Sequence, residues 1–293
     1  MNTNEQNPVI QFVRLARRLE MAGSYNAAKL LWAAAFSEEV RQSNESSPPI
    51  SNQDLENELE ATIQIMQASP GQAALAKALR NTKRAVRENR TIPLSEIPEV
   101  SVCRTCGEAY LGKTPKICAM CGAYALTFKE IPPVWFLEPL SPQQALKALA
   151  SGIDEIRTLI EGLSEEQMAY YPEPGEWNMR EALLHLLVAQ ELLAGRVDKM
   201  LSEKNPSLAG AAAWMLDDQG AGTANQIFQH LKASREEVLD KLQALPLEGW
   251  QRTGEHEEFG RVTILQQASY FAKHERSHLL QVQQIRQTAL NGD

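Results

Sequence analysis

The chain has 293 residues, 43% of them hydrophobic, 23% charged and 6% aromatic, which is the make-up of an ordinary water-soluble, helix-leaning protein with room for more than one core. No apolar run approaches the roughly 18 residues of a membrane span, because Leu183–Leu193 is broken by His185, Gln190 and Glu191. From residue 138 onward 14 Lys and Arg face 23 Asp and Glu, an acidic balance that argues against nucleic acid as a partner of that half.

Met1 to Gln11 is polar and lacks the basic-then-apolar plan of a signal peptide, so a cytoplasmic location is expected. Apolar residues at helical spacing (Val9, Phe12, Val13, Ala16, Leu19) predict a helix over Val9–Ala22, with a break at Gly23-Ser24. Further helices are expected over Asn26–Gln42, Gln53–Ala68 and Pro70–Asn89, with Pro70 in a first-turn position and Ser43–Pro49 as a loop. The last of them lines up Lys77, Arg80, Arg84 and Arg87, with Lys83 and Arg90 beside them; this reads as a solvated face pairing with Asp54, Glu56, Glu58 and Glu60 rather than as an anion-binding patch. Arg90–Val100, with Pro93 and Pro98, is a linker, so residues 1–99 form an N-terminal helical domain.

Between 100 and 131 stand Cys103-Arg-Thr-Cys106-Gly and Cys118-Ala-Met-Cys121-Gly. Without a signal peptide, two Cys-x-x-Cys pairs are metal spacing, and four thiolates make a closed tetrahedral site for zinc or a single iron. The glycines after Cys106 and Cys121 let each turn tighten so that backbone N–H groups approach the sulfurs. The stretch Val102–Gly122, ending at Phe128, resembles the rubredoxin-like tail of rubrerythrins, whose cysteines hold one iron for electron transfer. That resemblance implies a di-iron bundle before the knuckle, faintly echoed by Gly23, Ala28 and Glu38-Glu39. Here the sequence departs from it: a di-iron bundle draws ligands from Glu-x-x-His motifs, no histidine precedes His185, and the nearest candidate reads Glu38-x-x-Arg41. The same knuckle is equally a structural zinc ribbon.

Ile131–Pro139 is a stiff connector, with 132–140 as linker and Trp135 and Phe136 expected to dock on a neighbour. The remainder, 141–293, reads as a four-helix bundle with helices near 142–161, 179–203, 224–244 and 264–288 and a short helical turn at 165–170. Ser141, Asn178, Thr223 and Thr263 each stand three residues before Glu or Gln as capping boxes. The long connection Asn205–Gly222 can return the chain to the other end of the bundle, so that its second and third helices run parallel.

On the last helix Ile264, Phe271, His274, His278, Val282 and Ile285 form one stripe, in which two imidazoles replace leucines. Residues at i and i+4 share a face and can share a metal. His185, flanked by Ala182 and Ala189, would complete a three-nitrogen site with an open position, the plan of a catalytic metal; core packing or a dimer contact is the other account of the trio. His230 and His256 are expected to be exposed, His256 serving as a reserve ligand. The segment Pro172-Glu-Pro-Gly-Glu-Trp-Asn…His185 and the closing His274-x-x-x-His278-x-x-Gln281 resemble the DinB superfamily signature. The resemblance covers about 140–290, including Gln284-Ile285-Arg286. It implies an up-down-down-up bundle holding a divalent metal, zinc or nickel, on His185, His274 and His278, and in characterised members thiol-dependent S-transferase or isomerase chemistry.

The fold expected is therefore mostly α: N-terminal helices, a rubredoxin-like knuckle and a four-helix bundle. The function expected is metal binding at His185, His274 and His278, with activation of a thiol or of water. Glu255, Glu257, Glu258 and Glu275 are available as bases, and the 205–222 loop with Trp214, Met215 and Leu216 as a roof. The alternatives are a rubrerythrin-related iron protein for electron transfer or redox sensing, and a metal-stabilised interaction protein without catalysis. The partners allowed are a low-molecular-weight thiol or other small-molecule substrate and a second copy in a homodimer, with no membrane.

Overall fold

A computed structural model describes residues 7–43, 51–88, 90, 92, 94–172, 176–210 and 222–291. It is mostly helical, and among the described residues no helix is long and apolar enough to cross a membrane. The chain divides into two compact units, 1–58 and 59–293. In the first, α1 (Pro8–Met21) and α2 (Tyr25–Ser43) form a hairpin that buries Ala16, Ala28 and Ala35, and Trp32 Nε1 donates to Glu20 Oε1 at 2.8 Å. The helix α3 (Asn52–Ala68) runs from one unit into the next, and α4 follows over Ala73–Arg87.

The expected start of α4 at Pro70 is corrected. Gly71 has φ 77°, a left-handed conformation that interrupts the helix, and its carbonyl accepts the Ala109 N–H at 3.1 Å, anchoring the turn on the knuckle. The basic face of α4 is salt-bridged at its edge. Lys83 pairs with Glu60 at 2.9 Å, while Arg84 and Arg90 both reach Glu96.

Three short antiparallel strands, β1 (Val100–Cys103), β2 (Ala109–Leu111) and β3 (Phe128–Ile131), form the knuckle in the order β2-β1-β3. Phe136 of the linker docks as expected, edge-on against Tyr270 and His274, whereas Trp135 remains 57% exposed with Lys273 Nζ 5.1 Å from its ring.

The bundle consists of α5 (Pro142–Ile160), α7 (Met179–Ser202), α8 (Ala224–Gln243) and α9 (Ile264–Asn291), with the short α6 (Glu165–Met168) between the first two. Reciprocal capping boxes at Ser141, Asn178 and Thr223 begin α5, α7 and α8, and Thr263 with Gln266 makes the same exchange before α9. Ser164 and Gln167 cap α6 in this way too.

Cross-helix contacts fix the directions. Leu140 N donates to Ser269 Oγ at one end, and Arg286 reaches the Leu159 and Glu161 carbonyls at the other, so α5 and α9 run parallel. Arg180 meets Gly222, Gln190 meets Ser234, and Lys241 meets Asp198, so α7 and α8 also run parallel. His185 approaches His274, whereas Arg196 approaches Gln267, so α7 opposes α9. The order is up-down-down-up. The chain from α7 back to the start of α8 includes β4 (Ser207–Leu208), which pairs in parallel with β5 (Thr253–His256); β5 in turn pairs with β6 (Gly260–Thr263). The segment around His256 is thus a β-hairpin.

Halfway along the bundle the apolar core is interrupted. Arg235 Nη2 donates to Glu275 Oε2 at 2.6 Å, Arg235 Nε to Gln190 Oε1 at 2.6 Å and Nη1 to the Leu149 carbonyl at 2.6 Å. All four helices contribute to this network. Gly152 makes room for it, since a Cβ there would lie 1.7 Å from Glu275 Oε1. Gly152→Ala therefore sets two effects against each other: alanine gains about 1 kcal/mol in helix propensity, while displacing one member of a buried ion pair costs about 3–5 kcal/mol. The clash wins, and we expect a net loss of about 2–4 kcal/mol in thermal or urea unfolding of the bundle.

Candidate metal centre

His185 on α7 and His274 and His278 on α9 come together, and their ligand atoms all lie within 4.8 Å of one another. His274 Nε2 is 3.3 Å from His185 Nε2 and 3.2 Å from His278 Nε2. Two imidazole nitrogens bound tetrahedrally to zinc, each at about 2.05 Å, would be separated by about 3.3 Å. The donor spacing therefore fits a metal without rearrangement. It does not suit three packed imidazoles equally well, since each neutral ring directs one nitrogen into the same small space and carries only one proton to share.

The neighbours orient the rings. His278 Nδ1 lies 3.0 Å from Gln281 Oε1, an acceptor, so the proton belongs on Nδ1 and the Nε2 lone pair is left for a metal. The Trp177 ring lies 4.9 Å from that of His185 and stacks at 6.1 Å on that of His278. Tyr270 stacks on His274 at 6.0 Å, and His274 Nδ1 is buried with no hydrogen-bond partner among the described residues. Burial is the main cause that pulls the pKa of His185 and of His274 down to about 4, with neighbouring histidine charge adding to it. Both rings are thus neutral at physiological pH, the form that binds metal.

The four cysteines form a second donor set within the same 4.8 Å limit. Cys103 and Cys121 sulfurs are 3.7 Å apart and those of Cys106 and Cys118 3.6 Å, against about 3.8 Å for a tetrahedral zinc thiolate site. Gly107 and Gly122 have φ of 85° and 75°, and their N–H groups close each knuckle onto the Cys103 and Cys118 carbonyls. The Tyr110 hydroxyl, 3.3 Å from Cys118 Sγ, lowers that thiol's pKa to about 6 and so favours the thiolate a metal needs. Among the described residues α1–α4 contribute no metal-binding group.

Other expectations need correction. His230 is exposed as anticipated, but His256 is 4% exposed, because β5 pairs on both sides and directs this side chain inward. It stacks on Phe259 at 4.4 Å and is not part of the three-histidine group. Of the glutamates considered as bases, Glu275 is held by Arg235, Glu255 by Asn205 and Arg261, and Glu257 by the Gly210 N–H. Glu258 is raised in pKa chiefly by burial. The proposed roof, Trp214, Met215 and Leu216, lies outside the described residues, as do Glu173, Pro174 and Gly175 of the first DinB-like motif. Trp177, at the edge of that motif, is the residue whose contact with the site the sequence signalled without a role.

Burial also pulls His256 down to about 4. A histidine whose folded pKa lies below its unfolded value of about 6.5 contributes stability that is present above that value and lost as pH falls through the folded one. The metal-free protein should therefore show a melting temperature that falls between pH 6.5 and 4. His256→Gln should flatten part of that slope in a thermal-denaturation series.

Comparison with known proteins places the bundle among relatives. An uncharacterised protein of Bacillus subtilis strain 168, YuaE, is 27% identical over 143 residues, 44% of this chain and 88% of the relative. A solved structure of YfiT from Bacillus subtilis, described as a probable metal-dependent hydrolase with an unusual four-helix bundle topology, is 14% identical. It covers 50% of this chain and 89% of its own, with a TM-score of 0.46. The family model of the DinB superfamily matches residues 148–282, a span that contains all three histidines, and this part of the chain is therefore DinB-like.

Proposed function

We propose that the bundle is a metal-dependent catalytic site in which His185, His274 and His278 hold one divalent ion, zinc or nickel, and the substrate is a low-molecular-weight thiol or a molecule attacked by water. The single observation that carries this reading is the 3.2–3.3 Å separation of His274 Nε2 from the Nε2 atoms of His185 and His278, the spacing of neighbouring nitrogens on one tetrahedral ion, with all three donors within 4.8 Å and a fourth position left for substrate. When bound, such an ion lowers the pKa of a thiol or water molecule and supplies a nucleophile at neutral pH. The chain's own part is to orient and to exclude water. Gln281 fixes the His278 tautomer, and Trp177, Phe136 and Tyr270 wall the three rings with aromatic surface suited to the apolar body of a thiol or its acceptor. The cysteine knuckle has four protein ligands and so no open position; we read it as a closed structural metal site that stiffens the segment before the bundle.

Elemental analysis of the purified chain should find two metal equivalents. His274→Ala with His278→Ala should remove one while Cys118→Ser removes the other, and the retained metal in each case identifies the partner site. Thiol consumption, assayed with cysteine and glutathione against a chlorodinitrobenzene acceptor, should fall at least a hundredfold in the double histidine variant. Two equivalents surviving that variant would overturn the site. A visible iron–thiolate band that bleaches on reduction would instead favour an electron-transfer role for the knuckle.

A further inference from the structure

A second polar cluster lies on the same α7–α9 seam, toward the β5–β6 hairpin. Arg196 is 8% exposed, and among the described residues its guanidinium has no carboxylate partner. It donates to Gln267 Oε1 at 3.0 Å and to the Ala209 carbonyl at 2.8 Å, and its Nη2 lies 3.0 Å from His256 Nε2. That last contact is not an ordinary hydrogen bond. His256 Nδ1 accepts the backbone N–H groups of Glu258 and Phe259 at 3.1 and 3.2 Å, so the neutral ring carries its proton on Nε2, and a donor there faces a donor on Arg196. Gln267 is fully buried, and because its oxygen is committed to Arg196 its Nε2 has no partner among the described residues. A buried guanidinium paired only with neutral acceptors, an imidazole N–H and an unpartnered amide N–H₂ thus converge, with no carboxylate beside them among the described residues. Arrangements of this kind are costly unless something negative completes them.

We propose that Arg196, His256 and Gln267 form a carboxylate-binding subsite that takes the acid group of a small organic molecule. The planar guanidinium presents paired N–H groups in the geometry that a carboxylate accepts bidentately. The surroundings suit an apolar or aromatic body: Phe271 lies under the guanidinium at 5.7 Å, Phe259 is nearly parallel to His256, and Tyr270 packs against Phe259 at 5.9 Å. The Tyr270 ring also stacks on His274, and Gln267 precedes His274 by two helical turns, about 10 Å along α9. An acid held here would extend toward the three histidines. Its role as the acid end of the substrate rests on the metal-site reading; the binding itself does not.

The test is calorimetric titration of benzoate, with inorganic phosphate as the contrasting anion, into the zinc-loaded full chain. We expect saturable benzoate binding, weakened at least tenfold by Gln267→Leu, which removes one donor while leaving the charge in place. Gln267→Glu should abolish binding and raise the melting temperature of the ligand-free protein, because it supplies the missing carboxylate internally. Benzoate binding should persist in the His274→Ala, His278→Ala double variant. Loss in that variant would mean that benzoate sits on the metal and would overturn the subsite. It would equally be overturned by phosphate binding in preference to benzoate, by no saturable binding, by affinity unchanged in Gln267→Leu, or by a lower melting temperature in Gln267→Glu, which would show that Arg196 is already balanced within the chain. Thiol activity that fails while benzoate still binds would sink the metal reading and spare the subsite.

Discussion

The Arg235–Glu275 pair is the interaction on which the bundle's geometry depends. Both residues are almost wholly buried, and the network they anchor separates two apolar clusters. On one side pack Ile153, Leu187, Leu231 and Leu279, and on the other Leu149, Leu193, Val238 and Ala272. Apolar layers alone tolerate sliding by a helical turn, because leucine exchanges with leucine at little cost. A charged pair in the interior does not, since any shift leaves a charge without its partner. Gly152 adds a steric condition to the electrostatic one. The pair thus contributes little net stability but selects one register among several of similar packing energy.

That register sets the three-histidine cluster. Glu275 adjoins His274, so the rotation of α9 that points the carboxylate at Arg235 also turns His274 and His278 toward α7. On α7, Gln190 receives Arg235, and His185 stands five residues earlier, nearer the helix start and facing α9. The parallel course of α7 and α8 then requires a crossover that carries β4 alongside the hairpin, and this pairing places His256 against Arg196. One buried salt bridge and one crossover together account for the position of both polar clusters.

What the sequence disclosed follows from the range of each interaction. Capping boxes join residues three apart, so Ser141, Asn178 and Thr223 announced their helices with boundaries within about two residues of those observed. The histidine pair was legible because two imidazoles broke an otherwise apolar stripe, and the cysteines because their spacing is itself the chemistry. Pro70 misled because the competing preference came from Gly71, whose carbonyl is claimed by Ala109 nearly forty residues later. The hairpin was missed because four-residue strands containing glycine carry almost no alternation, and they are stabilised by the non-local partner at Ser207–Leu208. His256 and Arg196 were unreadable for the same reason: their burial is a property of that pairing, not of their neighbours in the chain.

The two donor sets divide the chemistry by ligand number. Four thiolates complete a tetrahedron and leave nothing for a substrate, whereas three imidazoles do not. Within the histidine set the rings are not held alike. His278 is fixed by a hydrogen bond to Gln281 and His185 is flanked by Trp177, but His274 Nδ1 has no polar partner among the described residues and its ring is positioned by Tyr270 and Phe136. If the three histidines hold a metal, His274 is the one whose remaining ring nitrogen is buried without a polar partner among the described residues, and its ring continues, through Tyr270 and Phe259, to the cluster around Arg196.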